Sequence, residues 1–151
     1  MEITVKVEGL KRLEQKLKTA QKKLSGSRQF WSSVGSYVQR QTIKERFDKE
    51  QTPDGEKWKP LAPATIKARK KRHKKGIMKI LQDTGELRRS IKYEAEDNCV
   101  KVGSNLKYAR THQFGRGKIP RRPFLGVTDN EKKHIALMYK QYLIRNVFGG
   151  A

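Results

Sequence analysis

The sequence predicts an α+β domain, in which a small antiparallel β-sheet packs with several α-helices and long extended basic loops project from them. Three observations carry this. Apolar residues recur at three- and four-residue spacing around 10–24, 28–48 and 135–143, the period of an amphipathic helix. Short runs at 3–7 and 92–102 alternate apolar and polar instead, the period of a half-buried strand. Between these lie proline-, glycine- and lysine-rich stretches with neither period.

Taken in order, "ITVKV" at 3–7 is β-branched and alternating, a first strand broken by Gly9. Leu10, Leu13, Leu17, Ala20 and Leu24 form the apolar stripe of a helix with lysines outside, and "SGS" at 25–27 ends it. Ser27 is placed to cap the next helix, from about Arg28 to Asp48. Phe30, Trp31, Val34, Val38, Thr42 and Phe47 face inward along that helix, with Tyr37 at the edge. Its small residues Ser32, Ser33, Gly35 and Ser36 permit close approach by another element. "QTPDGEKWKPL" at 51–61 then packs two prolines, an Asp-Gly turn and a tryptophan into a shaped loop.

Pro63 suits the first turn of a short helix. From Lys67 to Lys75, however, seven of nine residues are basic, a block that repels itself and has no apolar face. It predicts a mobile basic arm at about 64–78 within a single domain spanning 1–151. Asp83 or Thr84 can cap a short helix carrying Leu87 and Ile91. "KYEAEDNCVKVG" reads as a hairpin turning at Asp97 and Asn98, with Cys99 as a small buried residue. A short helix stops at Gly115, and "GRGKIPRRPFLG" is a basic loop ending in the anchor Phe124 and Leu125. Thr128 or Asp129 caps the last helix, whose inward set is Ile135, Met138, Tyr142 and Leu143.

A net charge of +21 far exceeds what solubility requires, so an anionic partner is expected. Charge peaks in the middle: residues 56–92 carry +10, against +5 before them and +6 after. One cysteine excludes an internal disulfide framework and fits a reducing compartment. No apolar run reaches the roughly 20 residues a membrane helix needs, and the N-terminus lacks a signal-peptide pattern, so a soluble protein made inside a cell is expected. His73, His112 and His134 lack metal-ligand spacing with each other or with Cys99. "GRGK" lacks the spacing of a phosphate loop, and the carboxylates form no catalytic pair, so no enzyme, metal or cofactor is predicted.

"RFDKEQTPDGEKWKPLAPATIKARKK", "ILQDTGELRRSI", a hairpin ending "VKVGSNLKYARTHQFG" and "IPRRPFLGVT" appear in that order. This succession, from Phe47 to Thr128, resembles the phage virion morphogenesis family. That family includes tail completion proteins of contractile-tailed phages, protein G of Mu-like phages among them. By position, its recurrent features fall on Pro53, Asp54, Gly55, Trp58 and Leu61, then on Leu81, Thr84, Gly85, Leu87 and Ile91. They continue on Val102, Gly103, Tyr108, Ala109, His112, Gln113, Phe114 and Gly115, and on Pro120, Arg122, Pro123, Phe124, Leu125 and Gly126. The dense basic run at 67–75 departs from the family pattern.

The resemblance implies a structural protein at the top of a phage tail or in the neck, present in the host cytoplasm during assembly. It implies completion of the tail tube before head joining, as a ring, usually hexameric, around the DNA channel. The implied partners are further copies of the chain, tail tube, sheath or head-side connector proteins, and genomic DNA, with no membrane. Candidate contacts to DNA or an acidic partner are Lys67, Arg69, Lys70, Lys71, Arg72, Lys74 and Lys75. Candidate assembly-loop contacts are Pro53, Asp54, Trp58, Leu61, His112, Phe114, Arg116, Arg121, Arg122 and Phe124, with Trp58 and Leu61 equally suited to a core. The alternative is a basic protein that grips nucleic acid without reading sequence.

Overall fold

In a computed structural model, which describes residues 27–72 and 78–148 together with the helical positions Gln15, Lys18 and Thr19, the helix predicted from 28 to 48 runs unbroken. It begins as α1 (Arg28–Gln41) and continues, with helical dihedrals at the junction, into wider π-helical turns over Thr42–Asp48. The strand expected at 3–7 lies outside the described residues, as does the helix expected at 10–24 except for those three positions. Four more α-helices follow among the described residues: α2 (Pro63–Arg72), α3 (Glu86–Arg89), α4 (Ala109–Phe114) and α5 (Asp129–Leu143). One antiparallel hairpin completes the α+β fold, with β1 (Lys92–Ala95) paired to β2 (Val100–Gly103) and Tyr93 opposite Val102.

Two apolar clusters hold these elements, each buried side chain worth about 1.5–3 kcal/mol. Phe30, Val34 and Val38 of α1 meet Ile135, Met138 and Tyr142 of α5 on one side and Val100 and Val102 of β2 on the other. Phe47, Trp58, Leu81, Leu87, Ile91 and Phe124 form the second cluster, and Val102 packs against both. The hairpin approaches α1 at Gly35, where a Cβ would stand 2.5 Å from the Tyr93 ring and 2.7 Å from Val100. The small face read from the sequence is thus a docking face for the sheet.

Several local expectations are corrected. Residues 67–72 belong to α2 rather than to a mobile arm, and His73, Lys74 and Lys75 lie outside the described residues. The self-repulsion expected of the run is relieved at its helical end by Asp83. That carboxylate lies 3.3 Å from Arg69 Nε and 2.9 Å from Arg72 Nη2, while Arg69 Nη1 donates to the Lys79 carbonyl at 2.8 Å. Asp83 therefore anchors arginines; Gly85 occupies the cap position of α3 at φ 72°, with the Thr84 hydroxyl accepting from the Glu86 N–H. Ser27 stands at the start of α1, but its hydroxyl donates to the Asp97 carbonyl at the hairpin turn. Cys99 precedes β2 half-buried, its thiol against Glu96, rather than inside a strand. Trp31, expected inward, is half-buried.

Candidate functional site

The loops at 50–62 and 115–126 are locked to one another. Trp58 turns its ring edge toward Phe47 with centroids 5.6 Å apart, and its indole N–H donates to the Pro123 carbonyl at 2.9 Å. Arg122 reaches the other way, its Nε donating to the Lys59 carbonyl and its Nη2 to the Pro60 carbonyl, both at 2.8 Å. Backbone carbonyls hold this buried guanidinium, which fixes its position without a carboxylate. Beyond it, Gly126 lies against Pro53 so closely that a Cβ would come within 2.7 Å of the proline ring.

Helix α4 fixes the second loop from its other side. The Gln113 side-chain oxygen accepts from the Phe124 and Leu125 N–H groups at 3.0 Å, and its amide donates to the Leu125 carbonyl at 2.8 Å. The Arg122 N–H donates to the His112 carbonyl at 2.8 Å. Burial, with the charge of Arg122 added, holds the His112 imidazole below its ordinary range, so it is neutral at pH 7. Gly115 ends α4 at φ 78°, where a side chain would also crowd the Arg121 backbone at 3.0 Å. The chain then turns at Gly117 and Lys118 between paired Arg116 and Ile119.

Glu131 secures the end of this loop. It completes a capping box with Thr128 at the start of α5 and receives both terminal nitrogens of the buried Arg46 at 2.7 Å. Burial alone would raise the Glu131 carboxyl; the Arg46 guanidinium and the Thr128 N–H outweigh it and hold the group below the usual carboxylate range.

The predicted contact residues therefore divide. Trp58, Arg122 and Phe124 are buried inside the chain, and Leu61 packs against the same core, because the two loops close on each other. Pro53 and His112 are half-buried, while Asp54, Phe114, Arg116 and Arg121 face outward, Phe114 with 67% of its surface free. In the basic run, Arg69 is buried and Arg72 is drawn to Asp83, leaving Lys67, Lys70 and Lys71 exposed on α2. Neither Arg46 nor Glu131 is among the residues the sequence singles out. The Thr128-x-x-Glu131 spacing was a legible signal for Glu131, whereas nothing local marks Arg46 as its partner.

Between α2, α3, α4 and the second loop lies a cleft of about 420 Å³, lined among others by Leu61, Leu81, Ile119, Tyr108 and His112. The Tyr108 hydroxyl donates to Glu86 at 2.9 Å, and burial followed by that carboxylate raises the phenol. Among the described residues no three His, Cys, Asp or Glu side chains converge as a metal site, and no helix is long and apolar enough to cross a membrane.

The four sequence motifs thus pack against one another and leave an aromatic and several cations exposed. Residues 8–144 match the phage virion morphogenesis family. The Mu-like prophage FluMu G protein 1 of Haemophilus influenzae is 39% identical over 92 residues, which are 60% of this chain and 62% of that relative. The chain therefore spans less than two thirds of the length of the curated relative it matches. No solved structure matches it. With the match reaching from before α1 to the end of α5, the chain belongs to the phage virion morphogenesis family.

Proposed function

We propose that this chain completes the tail, closing the tail tube and preparing it for joining to the head, as a ring of copies around the DNA channel. The observation that carries this reading is the surface left by the clasped loops. Phe114 and Ile119 stand 67% and 41% exposed beside Arg116, Lys118 and Arg121, on backbone pinned by Gln113, Arg122 and Trp58. A segment already held in one shape loses little entropy on binding, and aromatic and arginine side chains make strong interface anchors. Tail tube, sheath or head-side connector proteins are the partners such a surface would meet in the neck. Repeated around an axis, the exposed Lys67, Lys70 and Lys71 of each copy would add a positive field for DNA in the channel.

Imaging phage particles at the top of the tail tests this. Density for the chain there, and unjoined tails in phage lacking it, is the expected result. Complete, head-joined particles without the chain would sink the proposal. Sequence-independent DNA binding is the second reading, favoured by those same three lysines. It expects affinity for arbitrary duplex that falls steeply with salt.

A further inference from the structure

We propose that Phe114, with Lys107, Arg110 and Arg116 around it, docks on a second copy of this chain in the cleft walled by Glu45, Asp54 and Asp129. The inference rests on the ring reading and assigns its contact. Phe114 stands at the end of α4 beside a pocket of about 430 Å³ whose only ionisable lining groups are Lys107, Arg110 and Arg116. Exposed phenylalanine gains nothing from water, and the backbone carrying this one is held by Gln113, bonded to the neighbouring loop, and by Gly115, packed close against Arg121.

The second face lies elsewhere on the molecule, where the π-helical turns, the first loop and the start of α5 meet. There a cleft of about 640 Å³ is lined by Glu45, Asp54, Asp129 and Glu131, against Arg46 as its one arginine and His134, with Tyr37 and Pro53 also on its lining. That gathers four of the chain's 15 acidic residues in one place on a molecule of net charge +21. Glu131 is committed inward to Arg46, but among the described residues Glu45 and Asp129 are paired with Lys49 and Lys132 on their own helical faces. Such exposed pairs are weak and exchange readily for an arginine from outside.

Copies this basic repel each other in most orientations, so they associate only where opposite signs meet. The aromatic and cationic face and the acidic cleft share no residue, which makes the contact head-to-tail, the kind that generates rings. An exposed phenylalanine favours a protein socket over duplex DNA, whose backbone offers phosphates and no apolar recess.

Sedimentation of the full chain near physiological salt tests the contact with two charge-reversed variants, Arg110→Glu/Arg116→Glu and Glu45→Lys/Asp54→Lys. Circular dichroism of each would establish that it folds. The wild type is expected to self-associate, each variant to sediment as a single chain, and an equimolar mixture of the two to recover association, since the reversed faces match again. If the wild type associates and both variants do so equally well, or the mixture stays dissociated, this contact is wrong and the ring survives. A wild type that remains a single chain at every concentration removes the ring and the contact together. Loss of binding to a 25-base-pair duplex by Arg110→Glu/Arg116→Glu, with association unchanged, would assign the patch to DNA instead.

Discussion

Arg46 and Glu131, 85 positions apart, form a two-pronged ion pair with both contacts at 2.7 Å. Arg46 is 2% exposed and its Nη2 also reaches the Gly126 carbonyl, so the pair ties the π-helical turns to the loop that carries Phe124 and to the start of α5. Removing one partner leaves the other charge buried. Arg46→Met should therefore cost about 3–5 kcal/mol, read from urea denaturation. Arg46→Met/Glu131→Leu together should cost clearly less than the two single changes summed.

The same pair sets an acid dependence. The folded-state carboxyl of Glu131 lies below its unfolded value, so its contribution is fully present above the ordinary carboxylate range near pH 4.3. It is lost as pH falls through the folded value. Glu131→Gln should flatten the decline of stability in that acid window, measured as denaturation midpoint against pH. An unchanged decline would place the acid sensitivity elsewhere.

Gly35 predicts a packing penalty. Alanine gains up to about 1 kcal/mol of helix propensity over glycine, but its Cβ would meet the Tyr93 ring at 2.5 Å and Val100 at 2.7 Å. Forcing an extra methyl into a packed site costs about 1–3 kcal/mol. Gly35→Ala should come out destabilising in chemical denaturation, in contrast to the usual gain from this substitution in an exposed helix.

Trp58 predicts a loss of folding rather than of assembly alone. At 4% exposed against Phe47, its truncation to alanine should cost about 3–5 kcal/mol. Trp58→Phe keeps most of the apolar volume and loses the donor to Pro123, at a cost of about 1–2 kcal/mol. Thermal denaturation of the two variants separates the contributions. A Trp58→Ala protein of full stability that fails only to assemble would contradict the buried placement.

The exposed lysines of α2 predict a salt effect. If Lys67, Lys70 and Lys71 all contact phosphates, changing them to glutamine should reduce the slope of log affinity against log salt by about 2.7 for a DNA duplex. Arg69 is no part of that count, since its guanidinium is buried. Arg69→Gln should lower stability and leave the slope nearly unchanged.

By itself the sequence determined what depends on neighbours a few positions away. The period of Phe30, Val34 and Val38 set the long helix, the alternation around Tyr93 and Val102 set the hairpin, and Gly115 and Thr128 set a helix end and a helix start. The order of the four motifs led to the family. What only the tertiary structure decided depends on residues far apart. It turned Trp58, Arg122 and Phe124 inward, because two loops more than 50 positions apart satisfy each other's carbonyls. It made residues 67–72 helical, because Asp83 comes back to meet Arg69 and Arg72. Local pattern reports which face of an element is apolar; which loop that face meets is fixed only when distant hydrogen-bonding groups are brought together and must be satisfied.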